Sequence, residues 1–412
     1  MGKAWVQRAM RKGPALSDTA NISSIQKSRK ASSQHFTARL NAVLDRFVPE
    51  RILGCVVLVT RFGETVYESA RGYADIATAR PVHCETLFRY ASLTKLVLST
   101  AFFAMMDRGQ IGLDDPVAKI LPDFRPRTTD GRYPPLTFRH LLSHSSGLSY
   151  GFLQGVDGPY RLAGVSDGMD QPGLTASENL RRLAGLPLFF EPGTAWQYSL
   201  GSDVVGAAME VAALKSLDNI VRELIAEPLG LTSIRFYASE SDQLATPYFN
   251  DRDGPRPMSD EQAVHYDAGD VLFTPRRCYD CLSYPSGGSG IVGTAKDFSK
   301  LLEVLRTGGH PILSETSAIT LAADATGAIP TSALEPGWRF TLGGFALLID
   351  PVADATYSSA GTWRWGGVYG NHWFVDPRKS LSVVVLTNTT PAGMTGPFAE
   401  AIREALYLGE FE

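Results

Sequence analysis

Apolar residues are spaced differently in successive parts of the chain, and these spacings predict its secondary structure. Over residues 36–47 they recur about every 3.6 positions, which is typical of a helix packed on one side. Residues 54–60 form a continuous apolar run, and 65–70 follow after the polar turn 61–64. Two such runs joined by a short turn predict a β-hairpin.

Helical spacing and long polar stretches dominate the middle of the chain. A helix is expected from Ser92 to about Arg108. The stretches 153–172 and 248–270 are rich in Gly, Pro and Asp and are predicted to be loops that shape a pocket, because long loops in compact proteins are usually disordered or functional. Further helices are predicted at 136–142, 177–186, 201–213 and 219–225.

Strand-like runs return late in the chain. They are predicted at 340–349, 372–376 and 381–386, and a final helix at 397–407. Because strands lie at both ends with helices between them, the two ends must pair in one sheet. The prediction is an α/β (α+β) fold, and its parts are a sheet domain over 36–91 and 290–412 and an inserted helical domain over 92–289.

The composition fits a globular protein and argues against several partners. Hydrophobic residues make up 44% of the 412 residues, enough for a large core. The 39 basic and 43 acidic side chains nearly balance, so nucleic acid and anionic membranes are not expected as partners. No apolar run could span a bilayer and no secretory signal is evident, so a cytoplasmic location is expected.

The N-terminal segment is strongly basic. Its first 44 residues contain eight Lys or Arg residues and one acid, Asp18. Such a stretch is either an organellar transit peptide or a surface arm, and we predict an arm over 1–35.

Four cysteines, Cys55, Cys84, Cys278 and Cys281, are too few for a disulfide framework in a chain of this length. Cys278 and Cys281 have a metal-like spacing. A zinc site usually needs a second pair of ligands, and none is evident. Two reduced thiols are therefore predicted.

Ser92 and Lys95 are three residues apart at the start of a predicted helix, so their side chains share a face. A serine needs a base to remove its proton, and lysine can be that base when burial lowers its pKa. The helix N-terminus favours negative charge on the serine oxygen. The pair alone is a weak signal, because an N-capping serine and a surface lysine would give the same pattern.

Two later segments supply candidates for the same chemistry. Tyr198 opens a predicted helix, and it would assist proton transfer if a neighbouring ammonium lowered its pKa. The sequence Trp-Gly-Gly-Val at 365–368 would let a strand edge approach a substrate closely. The backbone N–H of Val368 would then form an oxyanion hole with that of Ser92.

Other patterns invite different interpretations. Residues 147–151 fit G-x-S-x-G around Ser149, but the strand before it and the helix after it that this motif requires are not predicted. His140 and His144 have an i, i+4 spacing, yet no third metal ligand is evident, so packing and hydrogen bonding are expected. His372 follows the glycine segment and is a candidate to face the cleft.

Taken in order, Ser92-x-x-Lys95, Tyr198-Ser-Leu200 and Trp365-Gly-Gly resemble the serine β-lactamase and penicillin-recognising superfamily. Segments 140–147, 191–194 and 285–290 resemble it too. The likeness is greatest to family VIII carboxylesterases and extends from about residue 36. It implies an antiparallel sheet with flanking helices built from both ends, an active site between sheet and helices, and no metal or cofactor.

Two departures from the β-lactamase motifs bear on the substrate. Leu200 stands where the resemblance implies an amide-binding asparagine, and Trp365 where it implies a carboxylate-binding lysine. Both favour neutral, short-chain carboxylic esters cleaved through an acyl-enzyme, with Lys95 or Tyr198 as the base. Acyl transfer is the alternative, followed by β-lactam or D-amino-acid peptide hydrolysis, for which Arg364 would restore the charge. The expected pocket residues are Tyr150, Asp203, Trp365, Gly366 and Gly367.

Overall fold

The fold is built on a sheet whose strands come from both ends of the chain. A computed structural model describes residues 36–408 except 253, 267, 332–333 and 355–356, and the arm predicted over 1–35 lies outside them. In chain order the strands are β1 (Gly54–Arg61), β2 (Glu64–Asp75), β3 (Arg80–Pro81), β4 (Phe88–Arg89), β5 (Tyr248–Asp251), β6 (Gly254–Pro257), β7 (Gln262–Tyr266), β8 (Gly269–Phe273), β9 (Val292–Gly293), β10 (Trp338–Phe340), β11 (Ala346–Leu348), β12 (Trp363–Gly367), β13 (Asn371–Asp376), β14 (Leu381–Thr387) and β15 (Thr389–Thr390).

The main sheet has eight antiparallel strands in the order β10-β11-β12-β13-β14-β1-β2-β3. Strand β1 lies between β14 and β2, so Val57 faces Val385 on one side and Ser69 on the other. This pairing joins the two ends of the chain as the strand pattern predicted.

Helices surround the sheet and fill the middle of the chain. None of them, within the part of the chain that the structure describes, is long and apolar enough to cross a membrane. In chain order they are α1 (36–47), α2 (Thr94–Asp107), α3 (Val117–Ile120), α4 (Phe138–Leu142), α5 (Pro159–Leu162), α6 (Ala176–Ala184), α7 (Gly201–Ala213), α8 (Leu217–Val221), α9 (Glu227–Leu229), α10 (Ala295–Arg306), α11 (Glu315–Ala322) and α12 (Pro397–Tyr407).

Both faces of the sheet are buried, which explains the continuous apolar run in β1. Val57 and Val59 pack with α1 and α12, while Val56 and Leu58 face the core that contains α10 and α2. Successive side chains of a strand point to opposite faces, so each face has its own helical layer. Ser92 and Lys95 lie on the side of the sheet that α2 covers. The limits of the inserted domain, 92 and 289, remain a prediction.

Two sequence predictions were wrong. Residues 340–349 are not one strand, because a turn at 341–345 separates β10 from β11 and the two pair as a hairpin. The stretch 248–270 is not a loop, because it forms the hairpins β5–β6 and β7–β8. Strand β5 also pairs with the distant β15, a contact that local spacing could not reveal.

The helical layer of α12 gives a direct test of this packing. Ile402 is fully buried between α1 and the sheet, whereas Ile319 on α11 is 64% exposed. We expect Ile402→Ala to lower the free energy of unfolding by about 2–5 kcal/mol, because it leaves a cavity in a packed layer. The matched change Ile319→Ala should stay within about 0.5 kcal/mol. Equal losses in urea denaturation would contradict this packing.

Candidate active site

Ser92 lies in a strained turn that leads into α2. It is the middle residue of the 3-10 turn Ala91–Leu93, and α2 continues directly from that turn. Ala91 has a φ of 48°, in the left-handed region that residues other than glycine rarely adopt. The preceding Tyr90 donates its backbone N–H to Ile291 O at 2.8 Å. The turn is therefore fixed from both sides, and Ser92 borders a large cavity.

Strand β12 passes close to this turn. A β-carbon built on Gly367 would lie 2.2 Å from Tyr90 O, so this approach requires glycine. Gly367 was predicted to line the pocket, but it packs against the Tyr90 backbone and is not among the lining residues. Val368 follows it and borders the cavity together with Ser92. These two residues are the ones predicted to form the oxyanion hole.

The amine of Lys95 is close to the Ser92 hydroxyl and is fully buried. Its Nζ lies 3.2 Å from Ser92 Oγ and donates a hydrogen bond to Gly288 O at 2.8 Å. It also lies 4.7 Å from the ring centre of Tyr198. Burial lowers the pKa of Lys95 to about 7, against an opposing effect of the Asp203 charge. A large fraction of Lys95 is therefore neutral near pH 7 and able to accept a proton.

Tyr198 contacts both the nucleophile and the glycine segment. The indole Nε1 of Trp365 donates a hydrogen bond to Tyr198 Oη at 3.3 Å. Burial raises the pKa of Tyr198 well above its usual range, and a hydrogen bond with Ser92 only partly offsets this. The nearby ammonium does not lower the pKa as the sequence hypothesis required. Tyr198 is therefore a protonated phenol at neutral pH, suited to donate a proton.

Asp203 lies behind the cavity wall rather than in it. Its Oδ1 accepts a hydrogen bond from Ser286 Oγ at 2.6 Å, and it is not among the lining residues. A β-carbon built on Gly288 would lie 2.7 Å from both Asp203 Oδ2 and Tyr150 Oη. Burial raises the pKa of Asp203. The prediction of a pocket residue is thus corrected: Asp203 supports the Gly288 segment that holds Lys95.

The cavity has a volume of about 930 Å³ and is lined largely by aromatic and apolar side chains. Of the predicted pocket residues, Tyr150, Trp365 and Gly366 line it. Both long stretches expected to shape the pocket contribute, through Asp167 and Tyr266 among others. The lining residues are Ser92, Tyr150, Phe152, Leu153, Asp167, Met169, Trp196, Gln197, Tyr198, Tyr266, Ser289, Leu334, Glu335, Trp338, Ala346, Arg364, Trp365, Gly366, Val368, His372, Trp373, Phe374, Met394, Thr395, Gly396, Ala399, Glu400 and Arg403.

Sequence reasoning missed several of these residues. Trp196, two residues before Tyr198, was not singled out. Asp167 accepts backbone N–H groups of Gly151 at 2.7 Å and Phe152 at 3.1 Å, and burial raises its pKa to about 7. A polar residue inside a long loop was the only available signal for Asp167. No sequence signal marked Arg403, because an arginine on a helix is usually an ordinary surface charge.

Ser149 is not in the cavity wall. It is buried, and its Oγ donates a hydrogen bond to the carbonyl oxygen of Tyr150 at 3.2 Å. The G-x-S-x-G segment follows α4 rather than a strand, and only the short 3-10 turn Gly151–Leu153 comes after it, so the strand and helix that the motif requires do not flank it.

The histidines have separate structural surroundings. His140 caps the N-terminus of α4 together with Thr137, and His144 shares a hydrogen bond of 3.0 Å with Ser199 Oγ. His372 lines the cavity, as proposed from the sequence, and its Nδ1 donates to Gly393 O at 2.7 Å. No cluster of three or more metal-binding side chains occurs among the described residues. Cys278 and Cys281 are both free thiols.

Comparison with known proteins identifies the family. The family described as Beta-lactamase matches residues 40–407. The chain belongs to the β-lactamase family. This assignment confirms the resemblance that the three motifs indicated.

Two β-lactamase-family relatives are similar over nearly the whole chain. Esterase EstB of Burkholderia gladioli is 43% identical over 376 residues, which cover 90% of this chain and 95% of that protein. The structure of EstCE1, described as a hydrolase with promiscuous acyltransferase activity, superposes with a TM-score of 0.88 at 40% identity. That match covers 92% of this chain and 100% of the other. Both names agree with the predicted esterase.

A more distant structure shows the shared fold alone. Simvastatin synthase (LovD) of Aspergillus terreus superposes with a TM-score of 0.71 at 21% identity, covering 91% of this chain and 98% of that one. Together with the β-lactamase family match over residues 40–407, it confirms the predicted antiparallel sheet with flanking helices as the β-lactamase fold.

The two departures of this chain from the β-lactamase motifs, Leu200 and Trp365, have different structural surroundings. Leu200 is fully buried in the core and does not reach the cavity, so an amide at this position would meet apolar packing. Trp365 does line the cavity and contacts Tyr198. Arg364 does not replace the missing lysine charge, because it lies next to Trp365 on the opposite face of β12.

Burial of the Lys95 amine should reduce the stability of the fold. The pKa is about 7 in the folded chain and 10.5 without burial, so the unfolded chain binds more protons between these values. Stability therefore rises with pH through this window. We expect Lys95→Met to raise the free energy of unfolding by about 1–3 kcal/mol at pH 7, and by less at pH 10.

The control for this measurement is Lys300→Met, at an exposed position on α10. Urea denaturation of both variants at pH 7 and pH 10 checks the prediction. A Lys95→Met protein no more stable than the control at pH 7 would contradict it.

Proposed function

We propose that this protein is a serine carboxylesterase that acts through an acyl-enzyme on Ser92. The observation that carries the proposal is the buried Lys95 amine, 3.2 Å from Ser92 Oγ. The names of EstB and EstCE1 support the same reaction class. The partner is then a small-molecule ester, and a cytoplasmic location remains the expectation drawn from the sequence.

Acylation begins when neutral Lys95 takes the proton of the Ser92 hydroxyl. The oxygen attacks the ester carbonyl carbon, and the electron pair of the C=O bond moves to the carbonyl oxygen. Backbone N–H groups of Ser92 and Val368 stabilise this oxyanion. The bond to the alcohol then breaks, and Tyr198 donates its proton to the leaving oxygen while Lys95 returns a proton to Tyr198.

Deacylation repeats these steps with water. Neutral Lys95, through Tyr198, takes a proton from the water as the water oxygen attacks the acyl carbon. The bond to Ser92 Oγ breaks, and the proton returns to the serine. Lys95 is the base in this scheme because burial leaves Tyr198 as a phenol.

The cavity supports neutral esters over β-lactams. The lysine that the β-lactamase motif supplies for a substrate carboxylate is replaced by Trp365, whose indole packs against apolar groups and orients Tyr198. A volume of about 930 Å³ lies near the upper end for small-molecule sites. It therefore accepts short-chain esters and leaves room for larger ones.

Hydrolysis and acyl transfer share the acyl-enzyme and differ in whether water or an alcohol attacks it. The observation that favours some transfer is the promiscuous acyltransferase activity described for EstCE1. Hydrolysis is the main proposal because EstB is named an esterase and EstCE1 a hydrolase.

Replacing the nucleophile tests the proposal. We expect Ser92→Ala to lower kcat for p-nitrophenyl butyrate by about 10³-fold or more, because no acyl-enzyme can form. Ser149→Ala, which changes the serine of the G-x-S-x-G pattern, should retain activity within about threefold. Initial rates at saturating ester, with folding checked by circular dichroism, provide the measurement. Full activity in Ser92→Ala would refute the mechanism.

The pH dependence of kcat/KM tests Lys95 as the base. The ammonium predominates below its pKa of about 7, so kcat/KM for a neutral ester should rise with pH, with a midpoint near 7, and then level off. The Asp203 charge raises the pKa of Lys95. We therefore expect Asp203→Asn to move the midpoint to lower pH. A wild-type midpoint above pH 9 would be inconsistent with this role.

A further inference from the structure

The cavity at Ser92 continues to a second part on the other face of β12. Trp365 points toward Tyr198, whereas Arg364 pairs in register with Phe374, which belongs to the layer of α12. Gly366 follows Trp365, and a β-carbon there would approach Met394 Cγ to 2.5 Å. The glycine therefore lets the Met394 side chain pack closely against β12, where Met394 borders the cavity. We call this second part the outer lobe; it is lined by Trp338, Arg364, Phe374, Met394 and Arg403, with the carboxylates of Glu335 and Glu400 also in its lining.

Arg403 is the unusual residue of the outer lobe. It extends from α12, lines the cavity and is half-buried. Its Nε is inaccessible to water and has no hydrogen-bond partner among the described residues. It also forms no ion pair with any residue that the structure describes. Buried guanidinium groups are normally paired, because an unpaired charge in a low-dielectric site is costly.

Four charged groups act on Arg403: Arg364, Glu335, Asp354 and Glu400. Arg364 is bound to Glu335 Oε2 at 2.8 Å and stacks on Trp338, with its guanidinium carbon 3.8 Å from the ring centre. The side chain of Glu335 is 65% exposed, and Glu400 is also exposed, so both carboxylates lie at the solvent side. Asp354 acts on Arg403 electrostatically but is not among the lining residues.

The inner surface of the outer lobe therefore presents cationic groups. Burial and the neighbouring Arg364 charge lower the pKa of Arg403. His372 adds no charge, because burial lowers its pKa to about 4 and leaves it neutral. A carboxylate has the planar pair of acceptors that matches a guanidinium, and Arg403, which borders the cavity, has no ion-pair partner of its own among the described residues.

We propose that the outer lobe binds a carboxylate on the ester substrate, with Arg403 as the specificity-determining residue. This inference rests on the proposed esterase function and refines its substrate class: the part of the ester beside Trp365 and Ser92 is neutral, as proposed above, and an anionic group is carried remote from the scissile bond. The group is carried on the acyl limb or on the alcohol limb of the ester, and the test distinguishes the two.

Two matched pairs of esters test the proposal and distinguish the limbs. The acyl-side pair is the mono-p-nitrophenyl ester of adipic acid and p-nitrophenyl hexanoate. The alcohol-side pair is 4-butyryloxybenzoate and its amide, 4-butyryloxybenzamide. The quantity compared is kcat/KM of the charged ester divided by that of its neutral partner, in wild type and variants, so that differences in intrinsic reactivity cancel.

In Arg403→Gln we expect this ratio to fall about 10- to 100-fold for at least one pair, mainly through KM, because a charged hydrogen bond is lost. Arg403→Lys should recover part of the loss. Glu400→Gln, at an exposed position with Arg403 intact, should raise the same ratio about twofold or more. Turnover of the neutral esters reports that each variant is folded.

An unchanged ratio for both pairs in Arg403→Gln and in Glu400→Gln would overturn the carboxylate subsite. An equal loss for charged and neutral esters would also overturn it, because that pattern indicates a structural role for Arg403. In both cases the neutral esters are still cleaved by wild type through Ser92. Failure of the esterase proposal itself is distinguishable, because wild type would then cleave none of the four esters.

Discussion

Placing an amine in a dry environment is the constraint on which the rest of the structure depends. Lys95 has to lose its water to become a base, so nearly all of α2 around it is buried. The amine keeps two polar contacts, Ser92 Oγ and Gly288 O, and faces the rings of Tyr150 and Tyr198. Each of these contacts restricts which residues can stand beside the amine. Position 288 must be glycine, because a side chain would collide with the groups that surround the amine.

Much of the fold was accessible from the sequence, and the errors have a common cause. Helices α7 and α12 were predicted with the bounds that the structure has, because each is strongly periodic and begins at Gly201 or Pro397. The hairpin β10–β11 was predicted as one strand, because apolar spacing does not register the reversal at Gly343 and Gly344. Strand β5 was missed because it depends on pairing with β15, far away in sequence. Local apolar spacing carries no information about pairing between strands that are distant in sequence.

Site residues that belong to the sequence motifs were predicted. Residues whose place in the site depends on the direction of the side chain were missed or wrongly assigned. The Ser92–Lys95 spacing places both side chains on one face of a helix whatever surrounds it, so this contact was foreseeable. Asp203 and Gly367 are close in sequence to cavity residues but do not line the cavity, because the Asp203 side chain is turned toward Ser286 and the Tyr90 backbone covers Gly367. Arg403 could not be found, because three of the four charged groups that act on it, Glu335, Asp354 and Arg364, are distant from it in sequence.

Strand β12 links reaction and substrate choice through its alternation of side chains. Trp365 points to Tyr198, and its neighbour Arg364 points to the α12 layer, so one strand serves both parts of the cavity. A slip of one residue would exchange these faces and move the indole away from the phenol. The register with β13, in which Trp365 lies opposite Trp373 and Gly366 opposite His372, prevents that slip through buried aromatic packing. The two glycines permit two different close contacts: Gly367 permits that of β12 with the backbone of the nucleophile turn, and Gly366 permits that of β12 with the Met394 side chain.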